Sequence, residues 1–100
     1  MSQMIENLTQ LVGTIVARQP YPRLADYDLV TLDIGHAEPV EGKANLLADT
    51  PGSRVEVAIR RELLGAAGDG LNVHFRAKRT IDGIMAEPHP EAGHFRIESA

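Results

Sequence analysis

The sequence predicts an all-β domain that closes, fully or partly, into a small barrel of five or six strands. Apolar and polar side chains alternate over residues 54–60 and 71–79, which is typical of half-buried strands. Asp82 followed by Gly83 is a strong signal for a tight hairpin turn. In a chain of 100 residues, several short strands can share one core if the sheet curls on itself, and closure also removes exposed strand edges.

The first two predicted strands lie in the first third of the chain. Strand one covers residues 11–18, where Gly13 indicates a bulge or a sharp bend, and a proline-rich turn ends it. Strand two covers residues 27–36, where Val30, Leu32 and Ile34 share one face and Thr31 and Asp33 share the other. We expect residues 1–10 to form a tail or a short helix, so that the barrel domain spans residues 11–97.

A long connection rich in glycine and proline precedes strand three. Within it, residues 44–48 are expected to make a helical turn that places Leu46 and Leu47 in the core. Strand three covers residues 54–60, and residues 61–64 change to the spacing of one helical turn. The remaining strands are predicted at residues 71–79, 84–87 and 95–97.

This succession of elements resembles the OB-fold. The resemblance is carried by Gly13 in strand one, by strand three at residues 54–60, by the helical turn at 61–64 and by the hairpin over 71–87. It covers residues 11–97 and concerns the layout of the strands, and an SH3-like barrel is the alternative. The resemblance implies a small barrel whose outer face binds a ligand, which in OB-folds is often single-stranded nucleic acid or oligosaccharide.

Composition favours an intracellular domain with an aliphatic core. The chain has no cysteine, so disulfides and thiolate chemistry are excluded, and we expect a cytoplasmic, reducing compartment. Only four side chains are aromatic, and tryptophan is absent. We expect no signal peptide and no membrane-spanning segment, since the longest apolar stretch is short and interrupted.

A candidate basic face lies on strands three and four. Residues 54–79 hold six basic side chains against three acidic ones, although the whole chain carries a net charge of −4. The side chains predicted to point outward there are Arg54, Arg60, His74, Arg76 and Lys78. Binding of single-stranded nucleic acid needs such cations and also aromatic side chains on which bases stack. Phe75 is predicted to point inward, so the stacking platform is missing and a nucleic acid is the alternative ligand.

The polar motifs predict neither a catalytic centre nor a metal or cofactor site. His89 and His94 lie near Glu87 and Glu91, but their spacing fits no known metal motif. No nucleophile-elbow sequence surrounds any of the three serines. The function that the sequence favours is a non-catalytic interaction module, one that binds a protein partner or self-associates.

Overall fold

Alternating apolar and polar side chains build six strands in the computed structural model, which describes residues 6–99. The elements are β1 (Thr9–Pro20), β2 (Tyr27–Pro39), β3 (Arg54–Arg60), α1 (Arg61–Leu64), β4 (Asn72–Thr80), β5 (Gly83–Ala86) and β6 (Arg96–Glu98). Each strand lies within a few residues of its predicted position. The strands β1 and β2 are longer than predicted because their outer ends pair with each other beyond the core, up to Thr9 and Pro39. No helix of the described part of the chain is long and apolar enough to cross a membrane.

The strands close into a barrel whose wall has the order β1-β2-β3-β5-β4, with β4 pairing back onto β1. Among the described strands, β3 and β5 run parallel and the other neighbours run antiparallel. The short strand β6 adds to β4 at residues 72–74. The protein is therefore a closed five-stranded, OB-fold-like barrel with a sixth strand, and the predicted fold class is confirmed.

The barrel interior is filled by aliphatic side chains around one phenylalanine. Phe75 is fully buried and packs among side chains from the other wall strands. The buried core consists of Leu11, Ile15, Val30, Leu32, Ile34, Leu47, Val57, Ile59, Leu64, Val73, Phe75, Ala77 and Ala86. Inward and outward positions alternate along each strand, so every inward residue has outward neighbours on the barrel surface.

Gly13 allows β1 to bend enough to pair with strands on both sides. The register between β1 and β2 shifts at this position, as expected for a bulge. A Cβ atom on Gly13 would lie 3.0 Å from Ile34 Cδ1 and 3.2 Å from the carbonyl oxygen of Asp33. The absence of a side chain therefore lets β2 approach closely, and the predicted bulge is confirmed.

The connection between β2 and β3 differs from the prediction in one respect. Residues 46–49 form turns rather than a helical turn, and Thr50 donates a side-chain hydrogen bond to the carbonyl oxygen of Leu47 (2.7 Å). Leu47 is nevertheless fully buried, as predicted, whereas Leu46 is half-buried. A turn closed by a threonine hydroxyl thus places Leu47 in the core without helical backbone.

The prediction for the N-terminal ten residues falls in part on residues 1–5, which lie outside the described residues. From Glu6 the chain runs towards β1, and Asn7 is buried against the end of β4. Its side chain donates to the carbonyl oxygen of Arg79 (3.2 Å) and accepts from the Arg79 amide (2.8 Å). This pair of hydrogen bonds fixes the start of β1 beside the β4–β5 hairpin.

A buried carboxylate fixes the loop between β1 and β2. Asp28 is 5% exposed and accepts hydrogen bonds from Arg18 Nε (2.6 Å) and Arg61 Nε (2.9 Å). Arg18 also donates to the carbonyl oxygens of Gly65 and Ala67 (2.8 Å each). Burial alone would raise the pKa of Asp28, but the two guanidinium groups outweigh it and hold that pKa below its usual value. The cluster ties the beginning of β2 to α1 and its following loop.

Candidate functional site

An open cleft lies on the outer surface of the barrel, between the β1–β2 loop and the β4–β5 hairpin. Its volume is about 210 Å³, and apolar side chains form most of its lining. We call it the apolar cleft and define it by Tyr21, Leu24, Ala58, Ile84 and Met85. Loops flanking the outer face of strands two and three are where OB-fold barrels bind their ligands. The cleft therefore occupies a position that suits recognition.

Strand register explains why this part of the outer face is apolar. Leu29 on β2 lies opposite Ala58 on β3, and Ala58 lies opposite Met85 on β5. These residues alternate with the core positions Val57 and Ile59 and therefore point outward. Ala58 is only 4% exposed although its position alternates with the inward-facing residues of β3, and it lines the cleft. The floor of the cleft is thus formed by the uncharged side chains of Ala58 and Met85 on two neighbouring strands.

Two charges form the rim of the cleft, and Ile81 directly precedes one of them, Asp82, in the chain. Arg23 from the β1–β2 loop lies 3.5 Å from Asp82 of the hairpin, and both side chains are mostly exposed. Of the large hydrophobic side chains in residues 6–99, Ile81 is the one left exposed, with 85% of its surface open to solvent. The chain neighbours of Ile81, Thr80 and Asp82, line the cleft, so the exposed side chain lies next to the hollow in the hairpin.

Backbone and side-chain hydrogen bonds hold the hairpin that carries this rim. Thr80 Oγ1 donates to the carbonyl oxygen of Gly83 (3.0 Å) and accepts from the Asp82 amide (3.1 Å). Gly83 has a φ of 131°, which side-chain-bearing residues rarely adopt. The predicted hairpin is therefore present, but its two connecting residues are Ile81 and Asp82, one position earlier than the predicted Asp82 and Gly83, and Gly83 pairs with Thr80.

A second hollow, of about 440 Å³, lies on a different sector of the wall, outside β1, β4 and β6. We call it the histidine groove, and its charged and imidazole side chains are His36, Glu38, His74, Arg76, His94 and Arg96. Most of them are engaged with neighbours. His36 Nε2 lies 2.7 Å from Glu38 Oε1, and His74 Nε2 lies 2.5 Å from Glu98 Oε1. Each contact sets a carboxylate against a basic or imidazole group, which lowers the attraction of the groove for an anion.

Arg76 is held in place at the floor of the histidine groove. Its Nε donates to Gln10 Oε1 (3.1 Å), and the Gln10 amide nitrogen donates to the carbonyl oxygen of Phe75 (3.2 Å). Arg96 lies nearby, with Nη2 3.5 Å from His74 Nδ1 and Nε 3.6 Å from Glu98 Oε1. The outer nitrogens of Arg76 have no hydrogen-bond partner among residues 6–99, so Arg76 is the group best placed to meet an anion.

The five side chains of the predicted basic face do not lie on one continuous surface. Strand β5 separates Arg54 and Arg60 on β3 from the other three on β4. Arg54 is paired with Asp33 through Nε (2.7 Å), and Arg60 is paired with Glu62 (2.8 Å) and donates to the carbonyl oxygen of Pro88 (2.8 Å). The hydrogen bond from Arg54 lowers the pKa of the Asp33 carboxyl and raises that of the guanidinium itself.

The structure brings two of the five predicted residues together in the histidine groove, namely His74 and Arg76. Lys78 instead faces a separate hollow of about 300 Å³, which it shares with Lys43 and Glu87. Lys43 is paired with Glu6, and Lys78 has no ion-pair partner among residues 6–99. Whether any of these cations binds a ligand stays a prediction, but they do not act as one patch.

Metal binding and catalysis each require particular groupings of side chains. Residues 6–99 contain no group of three or more His, Asp or Glu side chains placed to hold a metal ion. The titratable side chains lining the apolar cleft are Tyr21, Arg23 and Asp82, and the last two pair with each other. Among the described residues, that set does not include a nucleophile next to a general base.

The apolar cleft could not be predicted from the sequence, because the residues that line it are scattered along the chain. Leu24, Ala58 and Met85 come from a loop and two strands that are far apart in the chain, and none belongs to a motif. One signal was available: Ile81 is an apolar residue directly before the predicted turn residues Asp82 and Gly83, in a region where polar residues or glycine are usual. No protein-family model, no curated protein and no solved structure matches this chain.

Proposed function

We propose that the protein is a non-catalytic interaction module that binds a protein partner through the apolar cleft. The observation that carries the proposal is the exposed Ile81 side chain beside an open, apolar-floored hollow. Leaving such surface in water is unfavourable, by about 25 cal/mol per Å² of apolar area, and burial against a partner recovers that free energy. The partner expected from this chemistry is a protein segment that presents one aliphatic side chain next to a charged residue.

The rim charges support a protein ligand over a polyanion at this place. Arg23 and Asp82 offer one positive and one negative group, both more than half exposed. A peptide that carries either sign beside its apolar residue can therefore pair at the rim, which sets orientation more than affinity. A nucleic-acid backbone would meet Asp82 as a like charge and would gain nothing from the uncharged floor.

Selection of short peptides on the intact chain would test the proposal. A library of random linear peptides is displayed on phage, and the enriched sequences are synthesised and titrated by calorimetry. We expect the binders to share a central Leu, Ile, Val or Met. Replacing Met85 by Glu should weaken them at least about tenfold, because it places a charge on the apolar floor.

The matched control is Arg76→Ala, which alters the histidine groove and leaves the cleft intact. Thermal unfolding of both variants shows whether the fold is kept. If the selected peptides lose affinity in Arg76→Ala but keep it in Met85→Glu, the contact surface is the groove and the proposal is wrong. If no peptide binds more tightly than about 1 mM, the apolar cleft is not a protein-binding site.

A single-stranded nucleic-acid ligand is the second candidate, and the histidine groove is where it would bind. Two arginines and three histidines surround that groove, and imidazole rings can stack on unpaired bases. Against it stand the contacts of Glu38 and Glu98 with those same cations, and the net charge of −4. The absence of cysteine supports a reducing, cytoplasmic compartment for either function.

A further inference from the structure

The turn of the β4–β5 hairpin carries a side chain that the turn itself does not need. Ile81 and Asp82 connect Thr80 to Gly83, which are paired across the hairpin. Two-residue connections favour Asn, Asp and Gly, and β-branched residues suit strands better. Ile81 is also 85% exposed, so packing within residues 6–99 does not account for it. Its side chain is free to insert into another molecule.

The hollow next to Ile81 has room for one branched aliphatic side chain. The cleft measures about 210 Å³, whereas an engineered apolar cavity of about 150 Å³ accepts benzene. Thr80, Asp82 and Gly83, the neighbours of Ile81 in the chain, line the same hollow. A protruding apolar side chain and a hollow of matching chemistry therefore lie side by side on one surface.

The charges of the rim make this surface complementary to itself. Arg23 and Asp82 stand 3.5 Å apart, with side-chain exposures of 67% and 60%. When two copies meet across a two-fold axis, residue i of each copy contacts residue j of the other. Around such an axis, Arg23 of each copy can face Asp82 of the other copy, so that opposite charges meet in the dimer.

We propose that the apolar cleft binds a second copy of this chain. In the symmetric dimer, Ile81 of each protomer inserts into the apolar cleft of the other, and Arg23 of each protomer pairs with Asp82 of the other. This inference rests on the proposed function, because it names the protein partner of the same surface. One side chain inserted from each copy is a small contact, so we expect a dissociation constant on the order of 100 μM.

Sedimentation equilibrium of the full chain between about 20 μM and 1 mM tests the dimer. We expect the average mass to rise from 10.9 kDa towards twice that value as concentration increases. Ile81→Glu should weaken association at least about tenfold, since it puts a charge into the apolar cleft. Arg76→Ala, which alters the histidine groove, should associate like the wild type. A dimer that Ile81→Glu leaves unchanged uses another surface and would overturn the proposal.

Exchange of the rim charges gives a test that does not depend on removing apolar surface. Arg23→Glu and Asp82→Lys each leave two like charges on the rim, so each variant alone should stay monomeric. An equimolar mixture restores opposite charges across the two-fold axis and should form the heterodimer. If the mixture stays monomeric, or if the wild type is monomeric at 1 mM, the proposed dimer does not exist. Should selected peptides still bind the cleft in that case, the interaction module stands and only its partner is wrong.

Discussion

The apolar cleft and the histidine groove differ in how far their surface groups already have partners within the protein. In the histidine groove, the carboxylates of Glu38 and Glu98 lie within 2.7 Å of imidazole nitrogens, so opposite groups already face one another. In the apolar cleft, the floor is uncharged and Ile81 projects into solvent. A polar surface can be stable without a ligand, whereas an open apolar surface gains free energy when it is covered. The difference makes the smaller hollow the better candidate for binding.

The two regions also depend on different supports. The β1–β2 loop that forms one wall of the cleft is fixed through Asp28, which Arg18 and Arg61 clamp. The histidine groove depends on β6, which pairs with β4 over three residues. Variants in one support should therefore affect one hollow more than the other, whereas variants in the shared core should affect both.

Phe75→Ala should have the largest effect of the single substitutions considered. Phe75 is fully buried, and its loss leaves a cavity in a core with no other fully buried aromatic side chain among residues 6–99. We expect a loss of about 3–5 kcal/mol in the free energy of unfolding, measured by urea denaturation. Because the core carries both surfaces, ligand binding at either one should be lost in proportion to unfolding. A loss below about 1 kcal/mol would contradict the packing described.

Asp28→Asn should lower the free energy of unfolding by less than Phe75→Ala does. It should loosen the wall of the apolar cleft more than the histidine groove. It leaves Arg18 and Arg61 around a neutral amide, and we expect a loss of about 2–3 kcal/mol in the free energy of unfolding. Amide hydrogen exchange should quicken at residues 21–27 and stay unchanged at residues 72–76. Equal quickening at both places would show that the Asp28 cluster does not support the cleft wall selectively.

Asp28 should also make the free energy of unfolding depend on pH, with a defined sign. The folded-state pKa of Asp28 is held below the unfolded value of 3.8, so its ion pairs stabilise the fold above about pH 4. As pH falls through the lowered pKa, that contribution is lost. The stability difference between wild type and Asp28→Asn should therefore be constant near neutral pH and shrink below about pH 4. A difference that grows on acidification would mean that the pKa is raised instead.

Gly83→Val should have a moderate effect, confined to the hairpin at the rim of the cleft. The backbone at Gly83 has a φ of 131°, and no atom lies within 4 Å of where a Cβ would stand. The cost is therefore backbone strain rather than a clash, and we expect about 1–3 kcal/mol in the free energy of unfolding. Asp82→Asn serves as the control, since asparagine also suits tight turns, and it should change stability by less than about 0.5 kcal/mol. If the two variants lower the free energy of unfolding equally, the positive φ at Gly83 is not the cause of the loss.

Oligonucleotide binding should give the weakest signal. We expect no affinity tighter than about 100 μM for a single-stranded oligonucleotide at physiological salt, measured by fluorescence anisotropy. If the cations do bind phosphates, the plot of log affinity against log salt should have a slope on the order of −2 to −3. Replacing Arg76 by Ala should then remove one phosphate contact and flatten that slope by about 0.7. Micromolar, salt-sensitive binding would reverse the ranking of the two functions.

The fold was largely predictable because it depends on local patterns. Alternation located β3, Gly13 indicated the bulge, and Asp82 with Gly83 indicated the hairpin. Strand order was less accessible from the sequence, since parallel pairing of β3 with β5 joins residues that are far apart in the chain. That pairing inserts β5 between the two halves of the predicted basic face.

The candidate site was less predictable than the fold for the same physical reason. Charged side chains are conspicuous in a sequence, but their effect depends on the partners they meet, as Arg54 does with Asp33. An apolar cleft is assembled from common residues, and only tertiary structure decides whether Met85 is covered or open. The alternation of apolar and polar residues therefore predicted which side chains point outward. The pairing register of the strands decided which of those side chains share a surface.

The central claim is that the apolar cleft, rather than the histidine groove, is the contact surface. Amide chemical-shift mapping of the ¹⁵N-labelled chain with an enriched peptide tests it most directly. We expect the largest shifts on residues 21–24 and 80–85, with little change at residues 74–76 and 94–96. The reverse pattern, with the largest shifts on the groove residues and none on the hairpin, would contradict it.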